Sequence, residues 1–517
     1  MTCRHYTPST DAVLGCRPSN AAKLGTILYQ ILLDRCWRRS GTLLYRPNQR
    51  KACCPHYSIR LDANAFHASR DQRQAVNRFS RFIIGDEYAR VAARVNPRSR
   101  AETKRRDTTF DLVERVHEAE SDNLPPLPSS RGHKAYKTQR AVGDNDGQAA
   151  SVPLPVEPEL TKTIEPAHRF VVTLEPDTYS DEKYEVFENY QRMVHKEPPS
   201  KISKRGFTNF LCNSPLRRET FTERSGRQKK LGSFHQCYRL DGRLVAIGVL
   251  DLLPDCVSAV YFLYHESIHN LSPGKLGALR EIALALEGGY RWWYSGYYIH
   301  NCPKMRYKID FAPQYVLDPE LPSSWDLLDK EALAKFDKQP YVSFSHERVE
   351  EYKTKLLKQH PNGDSDNYGF GLFGLGKPLT FHGPAVEEHT PDGGDAVAGT
   401  REESGEPIAA LDGEANNGDD DDSDSDAENS DSPNVPLFTS NMPGLPSMAT
   451  VARYHLDDIP ILTSLQPTMF PVHYLAVWDE GTVTDGTSFK NKVAELVAMM
   501  GSDLIPQLCL DFRRHPS

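Results

Sequence analysis

The chain has 517 residues, 38% hydrophobic and 26% charged, enough for two or three domains separated by polar stretches. Its formal net charge of −8 is unevenly spread: Glu387 to Asp431 holds 17 acidic residues and one Arg, a net of −16, which leaves +8 for the rest. That basic remainder suits a nucleic-acid partner; no run of about 20 apolar residues is present, so no membrane contact through a span is expected.

The start, Met1-Thr-Cys-Arg-His5, has no basic segment followed by an apolar one, so no secretory leader is expected. Ten cysteines in such a chain then read as reduced thiols, metal ligands or small buried hydrophobes, in a cytoplasmic or nuclear setting. Residues 1–95 read as a small cysteine-bearing domain. Ser69-Arg-Asp-Gln72 is a capping-box pattern, and the helix it opens runs to about Ile84 with Val76, Phe79 and Ile83 on one face. Residues 96–160, rich in Arg, Pro, Ser and Gly, read as a disordered linker.

Order returns at Phe170, a strand to Leu174, followed by a helix from Tyr184 to His195. Phe234 to Leu240 and Arg243 to Leu253 are strands joined by Asp241-Gly242, a two-residue turn that favours a hairpin. Val257 to Tyr264 is a third strand. A Ser272-Pro-Gly274 loop leads into a helix with Leu276, Leu279, Ala283 and Leu286 on its apolar face, and Trp292 to Ile299 is a further strand. This order is that of an α/β domain with N-acetyltransferase-like (GNAT-like) topology, assigned to 161–340. Residues 341–379 read as a helical extension and 380–435 as a disordered acidic insert. Residues 436–517 form a C-terminal extension with one helix, Asn491 to Met500.

Several clusters carry chemistry. Cys53-Cys54 can join other thiols in a tetrahedral metal or iron–sulfur site. In Ser233-Phe-His-Gln-Cys-Tyr238, strand alternation puts Gln236 and Tyr238 on one face and His235 on the other. Asp251 interrupts an apolar run, so it needs a partner: a cationic substrate group, or a structural Arg such as Arg243 or Arg280. The Ser272–Gly277 loop stands where acetyltransferases bind coenzyme A, but lacks their glycine spacing, so no coenzyme A is expected. In Trp293 to Lys308, Tyr297, Tyr298 and Tyr307 can stack on bases, and Lys304, Arg306 and Lys308 can meet phosphates.

Three stretches resemble the eukaryotic, fungal-type arginyl-tRNA–protein transferases. One is Arg38-Arg-Ser-Gly41 through Tyr45-Arg-Pro47 to Cys53-Cys-Pro-His-Tyr-Ser-Ile-Arg60. Another runs from Ser233-Phe-His-Gln236 through Asp241-Gly-Arg-Leu-Val-Ala-Ile-Gly-Val249 and Leu279-Arg-Glu-Ile282. The last is Tyr297-Tyr-Ile-His-Asn-Cys-Pro-Lys-Met-Arg-Tyr-Lys308. Two departures stand out: no Cys-x-x-Cys occurs anywhere, and Ile309 stands where a Gly is usual. The resemblance implies transfer of arginine from arginyl-tRNA to the N-terminal α-amine of proteins beginning with Asp, Glu or oxidised Cys, a mark for ubiquitin-dependent degradation. It implies His235, Tyr298 and His300 as candidates for proton transfer. Gln236, Tyr238, Asp251, Tyr297, Lys304, Arg306, Tyr307 and Lys308 are implied on the substrates. An iron–sulfur cluster or zinc is implied at Cys16, Cys53 and Cys54, a set that looks incomplete. The alternatives are a degenerate protein that only binds tRNA or N-termini, and a coenzyme A-dependent N-acetyltransferase.

Overall fold

The computed structural model describes residues 13–16, 24–128, 163–359, 437–463, 466–479 and 481–511. They form an α/β chain that divides into two compact units. One holds Arg60–Gly296 and Asp310–Pro313; the other holds the chain up to Ile59, Tyr297–Ile309 and Gln314 onward. Among the described residues no helix is long and apolar enough to cross a membrane.

The first unit opens on the end of a strand, Arg60–Asp62, and continues with four helices, α1 (Arg70–Ile84), α2 (Asp86–Val95), α3 (Arg100–Thr108) and α4 (Leu112–His117). The capping box is formed: Ser69 Oγ accepts from the Gln72 amide at 3.3 Å, and Gln72 Oε1 accepts from the Ser69 amide at 2.8 Å. Helices α3 and α4 correct the reading of residues 96–160 as disordered. Ser99 and Asp111 cap them, and Leu112 and Val116 are buried, so this polar stretch has enough local and tertiary support to fold. Residues 129–162 lie outside the described residues.

A sheet follows. Its strands are β1 (Phe170–Pro176), β2 (Gln228–Leu240), β3 (Arg243–Leu253), β4 (Cys256–Tyr264) and β5 (Trp292–Tyr294). Spatial order equals chain order, antiparallel until β4, which pairs with β5 in parallel. The β2–β3 turn is the expected one: Asp241 and Gly242 both have positive φ, 52° and 83°, which matches the twist of a tight hairpin. Leu61 and Asp62 pair with Trp293 and Trp292. A parallel pair needs a crossover, and here it is α5 (Pro273–Gly288). That helix is buried nearly all round: Leu279, Ile282 and Ala285 have no exposed surface to speak of, and Arg280 and Glu281 are buried too. The expected single apolar stripe is therefore too narrow, because α4 and α1 cover the helix from outside while the sheet covers it from inside. Leu279 and Ile282 contribute on the order of 1.5–3 kcal/mol each.

Alternation along β4 sorts the two faces. Phe262 lies where a Cβ on Gly277 of α5 would meet its ring at 2.3 Å, so only glycine lets α5 approach this closely. Tyr261 points the other way and packs edge-on with Tyr190, at the end of the Asp181–Tyr190 helix. The expected helix to His195 is α-helical only to Tyr190 and ends in a π-turn, Gln191–His195.

The second unit joins distant parts of the chain. Strands Val13–Cys16, Leu43–Pro47 and Arg38–Ser40 form an antiparallel sheet. Tyr57 and Ser58 pair with Tyr298 and Tyr297. Helices Lys330–Lys338 and Phe344–Gln359 follow the Gln314–Leu317 and Trp325–Leu327 strands. A core of Tyr57, Ile59, Tyr298, Val316, Phe336, Val342 and Phe344 holds these pieces together. Residues from 437 onward belong here: Arg46 donates to the carbonyls of Met499 (3.2 Å) and Pro443 (2.8 Å), and Asn48 to that of Ser440 (3.0 Å). The two units meet in the chain at Ile59/Arg60, Gly296/Tyr297, Ile309/Asp310 and Pro313/Gln314, whereas the sequence reading placed boundaries at residues 95, 340 and 436. The expected acidic insert, 380–435, lies outside the described residues.

Candidate active site

The expected strand from Trp292 to Ile299 is broken. Trp292–Tyr294 and Tyr297–Tyr298 are separate short strands, with Gly296 between them at φ 81°. The break parts the signature segment between the two units, so the candidate residues fall into two groups.

In the first unit, Gln236, Tyr238 and Glu281 gather on the α5 face of the sheet. Gly248 of β3 faces them: a Cβ there would meet Glu281 Oε1 at 3.4 Å and Gln236 Cβ at 3.7 Å. Tyr238 donates its hydroxyl to Gln236 Oε1 at 2.7 Å. Burial, then the nearby Glu281 carboxylate, push the Tyr238 phenol upward, so it stays protonated. Glu281 is 2% exposed and accepts from Trp293 Nε1 at 2.8 Å. Burial pushes its carboxyl up to about 7, against the pull of the Trp293 bond. A carboxyl that titrates there can take or give a proton at neutral pH.

His235 is on the opposite face, as alternation required. It has no exposed surface, and its Nε2 bonds the Leu211 carbonyl at 3.0 Å. Asp251 is equally buried and accepts from Ser233 Oγ at 2.5 Å. Both are correctly positioned for structural work inside the sheet. Neither has exposed surface in this structure, whereas the sequence reading assigned His235 to proton transfer and Asp251 to a cationic substrate group. Arg280, a suggested partner for Asp251, instead bonds Glu120 and the Val116 carbonyl and pins α4 to α5. Arg243 meets His265 Nε2 at 3.0 Å.

In the second unit, Tyr298 donates to His300 Nδ1 at 2.7 Å, and His300 Nε2 meets Asp337 Oδ1 at 2.8 Å. Tyr298 has no exposed surface, and burial pushes its phenol up to about 12. His300 stacks on Phe336 at 5.6 Å. The line therefore runs from a buried phenol to the exposed Asp337 carboxylate. Tyr297 donates to the Cys36 carbonyl at 2.9 Å and lies beside Tyr45, His56 and the Arg38 guanidinium, 5.0 Å from its ring centre. Lys308 is 8% exposed and donates to the Tyr297 carbonyl at 2.7 Å. Burial, then Arg38, push its amine down to about 7. The sequence reading expected it on a phosphate; in this structure it is an interior amine, neutral in part at physiological pH. Arg306 is exposed, and Lys304 and Tyr307 are half-buried, so these three remain at the surface.

Glu281 and Asp337 were missed in the sequence. Glu281 had a signal: it is a carboxylate on the inward side of an apolar helix, the same anomaly that singled out Asp251. Asp337 had none, since its role depends on a contact 37 residues away.

The thiols do not assemble a metal site among the described residues. Cys53 is exposed and Cys54 half-buried. No group of three or more His, Cys, Asp or Glu there could hold a metal, whereas zinc needs four ligands. Cys16 lies in the Val13–Cys16 strand, and its side chain is outside the described residues.

Two family profiles match the chain in order: arginine-tRNA-protein transferase, N terminus, over residues 3–74, and arginine-tRNA-protein transferase, C terminus, over residues 182–318. Arginyl-tRNA–protein transferase 1 of Drosophila melanogaster is 28% identical over 400 residues, 64% of this chain and 81% of that protein. Arginyl-tRNA–protein transferase 1 of Saccharomyces cerevisiae is 28% identical over 305 residues, 56% of this chain and 48% of that one. An aspartate/glutamate leucyltransferase of Pseudomonas fluorescens is 34% identical over 139 residues, 26% of this chain and 52% of its own length. With both halves matched in their proper order, the chain belongs to the arginyl-tRNA–protein transferase family.

Proposed function

We propose that the chain transfers arginine from arginyl-tRNA to the N-terminal α-amine of acceptor proteins. The observation that carries this is the match of both the N-terminal and the C-terminal profile in one chain. In the reaction the amine nitrogen attacks the ester carbonyl, a C–N bond forms, the C–O bond to the ribose breaks, and one proton passes from the amine to the ribose oxygen. The ester is activated beforehand by tRNA charging, and an α-amine with a pKa near 7.7–8.0 is partly neutral, so positioning supplies much of the rate. Proton exchange falls to groups that titrate near neutrality. Among the described residues, Glu281 in one unit and Lys308 in the other are buried groups with that property, and Tyr298 and His300 form a hydrogen-bonded line ending at Asp337.

Acceptors begin with Asp, Glu or oxidised Cys, and the product is a mark read by ubiquitin-dependent degradation in the cytoplasm or nucleus. The sheet is an N-acetyltransferase-like core, a reading supported by the parallel β4–β5 pair and its α5 crossover. It acts without coenzyme A.

The test is transfer of labelled arginine from charged tRNA to matched proteins beginning with Asp or Ala. Label on the Asp protein alone is expected. Folded protein that labels neither would overturn the proposal and favour a chain that only binds tRNA or N-termini.

A further inference from the structure

A cavity of about 500 Å³ opens between the exposed side of α1 and the α3–α4 segment, within the usual range of roughly 300–1,000 Å³ for ligand sites. Arg70, Arg73, Arg98, Arg106 and Arg115 line it, with Phe110, and no acidic side chain does. Ion pairs do not cancel this charge. Four guanidiniums, of Arg98, Arg105, Arg106 and Arg115, share the two carboxylates of Glu114 and Glu118. Arg70 and Arg73 are exposed, and their side chains have no partner among the described residues. Most of the wall lies between the two family profiles, which end at residue 74 and resume at 182.

Keeping five arginines around one hollow costs electrostatic energy that an anion relieves. Planar guanidinium forks match phosphate oxygens two at a time. Arg70 and Arg73 stand at i and i+3 on α1, so both face the same side, and Arg115 lies over the Phe110 ring at 5.7 Å, which leaves an aromatic edge within reach of a base. A single carboxylate is too small for this volume. We propose that the cavity is a docking site for consecutive backbone phosphates of the tRNA. This rests on the arginyl-tRNA reading above and adds where part of the RNA is held.

The experiment uses the full chain and uncharged arginine tRNA. Arg70→Glu/Arg73→Glu is compared with Arg90→Glu/Arg94→Glu, an equal charge change on α2 that does not line the cavity. The cavity variant is expected to weaken tRNA binding about tenfold or more and the control much less. Arg70→Ala/Arg73→Ala is expected to lower the slope of log affinity against log salt by about 2, and Arg70→Lys/Arg73→Lys to retain most of the binding. Affinity within twofold of wild type for the cavity variant, or an equal loss in the control, would overturn the proposal. So would a result in which inorganic tripolyphosphate or an Asp-initiated peptide binds through Arg70 and Arg73 while tRNA affinity is unchanged; the site would then serve a small anion or an acidic peptide. Wild-type arginine transfer separates this from the parent reading. Cavity-dependent tRNA binding without transfer fails the function alone, and transfer with cavity-independent tRNA binding fails the cavity alone.

Discussion

Replacing Glu281 by Gln should change how stability depends on pH. The side chain is almost completely buried, and its carboxyl is raised from 4.5 to about 7. Below pH 4.5 it is protonated in both folded and unfolded chains and contributes no pH dependence. Between 4.5 and about 7 the unfolded chain releases this proton while the folded chain holds it, so folded stability falls as pH rises. Above 7 the penalty is constant. At about 1.4 kcal/mol per unit, the full change is on the order of 3 kcal/mol. Gln keeps an oxygen for Trp293 Nε1 and never ionises. Glu281→Gln should therefore gain on the wild type by about that amount between pH 4.5 and 8. Denaturant unfolding of both proteins at several pH values, followed by tryptophan fluorescence, measures the difference. A difference that does not vary with pH would refute the assignment of a neutral buried carboxyl. Arginine transfer by the same variant adds a second readout: loss of rate with gain of stability at pH 8 marks a proton carrier held at a structural penalty.

Lys308→Met keeps the length of the side chain and removes the amine. Because the amine is lowered from 10.5 to about 7, the wild type loses stability relative to the variant as pH falls from about 10.5 to 7; a pH-independent difference in unfolding would contradict this. His117 meets Glu120 and Glu287, which raise its imidazole from 6.5 to about 9. Its contribution is complete below pH 6.5 and lost as pH rises through 9, so the destabilisation caused by His117→Ala should shrink toward zero between those values in melting experiments. Tyr298→Phe removes the donor to His300 Nδ1 and should lower stability by about 1–3 kcal/mol. It should also alter the pH profile of arginine transfer, whereas an unchanged profile would leave the Tyr298–His300–Asp337 line a structural feature only.

Local patterns were legible. The Ser69–Gln72 capping box, the Asp241-Gly242 hairpin and the β2–β4 strands depend on neighbours a few residues apart, and each stands where its residues put it. The separation of His235 from Gln236 and Tyr238 followed from alternation alone. Residues 96–128 were misread because composition signals disorder while capping and burial on α5 supply the ordering energy. Trp292–Ile299 was misread as one strand because nothing in its apolar run announces the positive φ at Gly296.

The motifs Ser233 to Gln236, Leu279 to Ile282 and Tyr297 to Lys308 were enough by themselves to place the chain in its family, since residue identity and order survive in the text. What each residue does was decided only in three dimensions. Burial is a property of everything that packs around a group: it enclosed Asp251, made Glu281 protonatable near neutrality and Lys308 an interior amine. The joining of residues 24–59 with 437–511 in one unit, and the convergence of five arginines on one cavity, likewise depend on contacts between distant segments. No local pattern encodes them, because their energy appears only when the whole fold has formed.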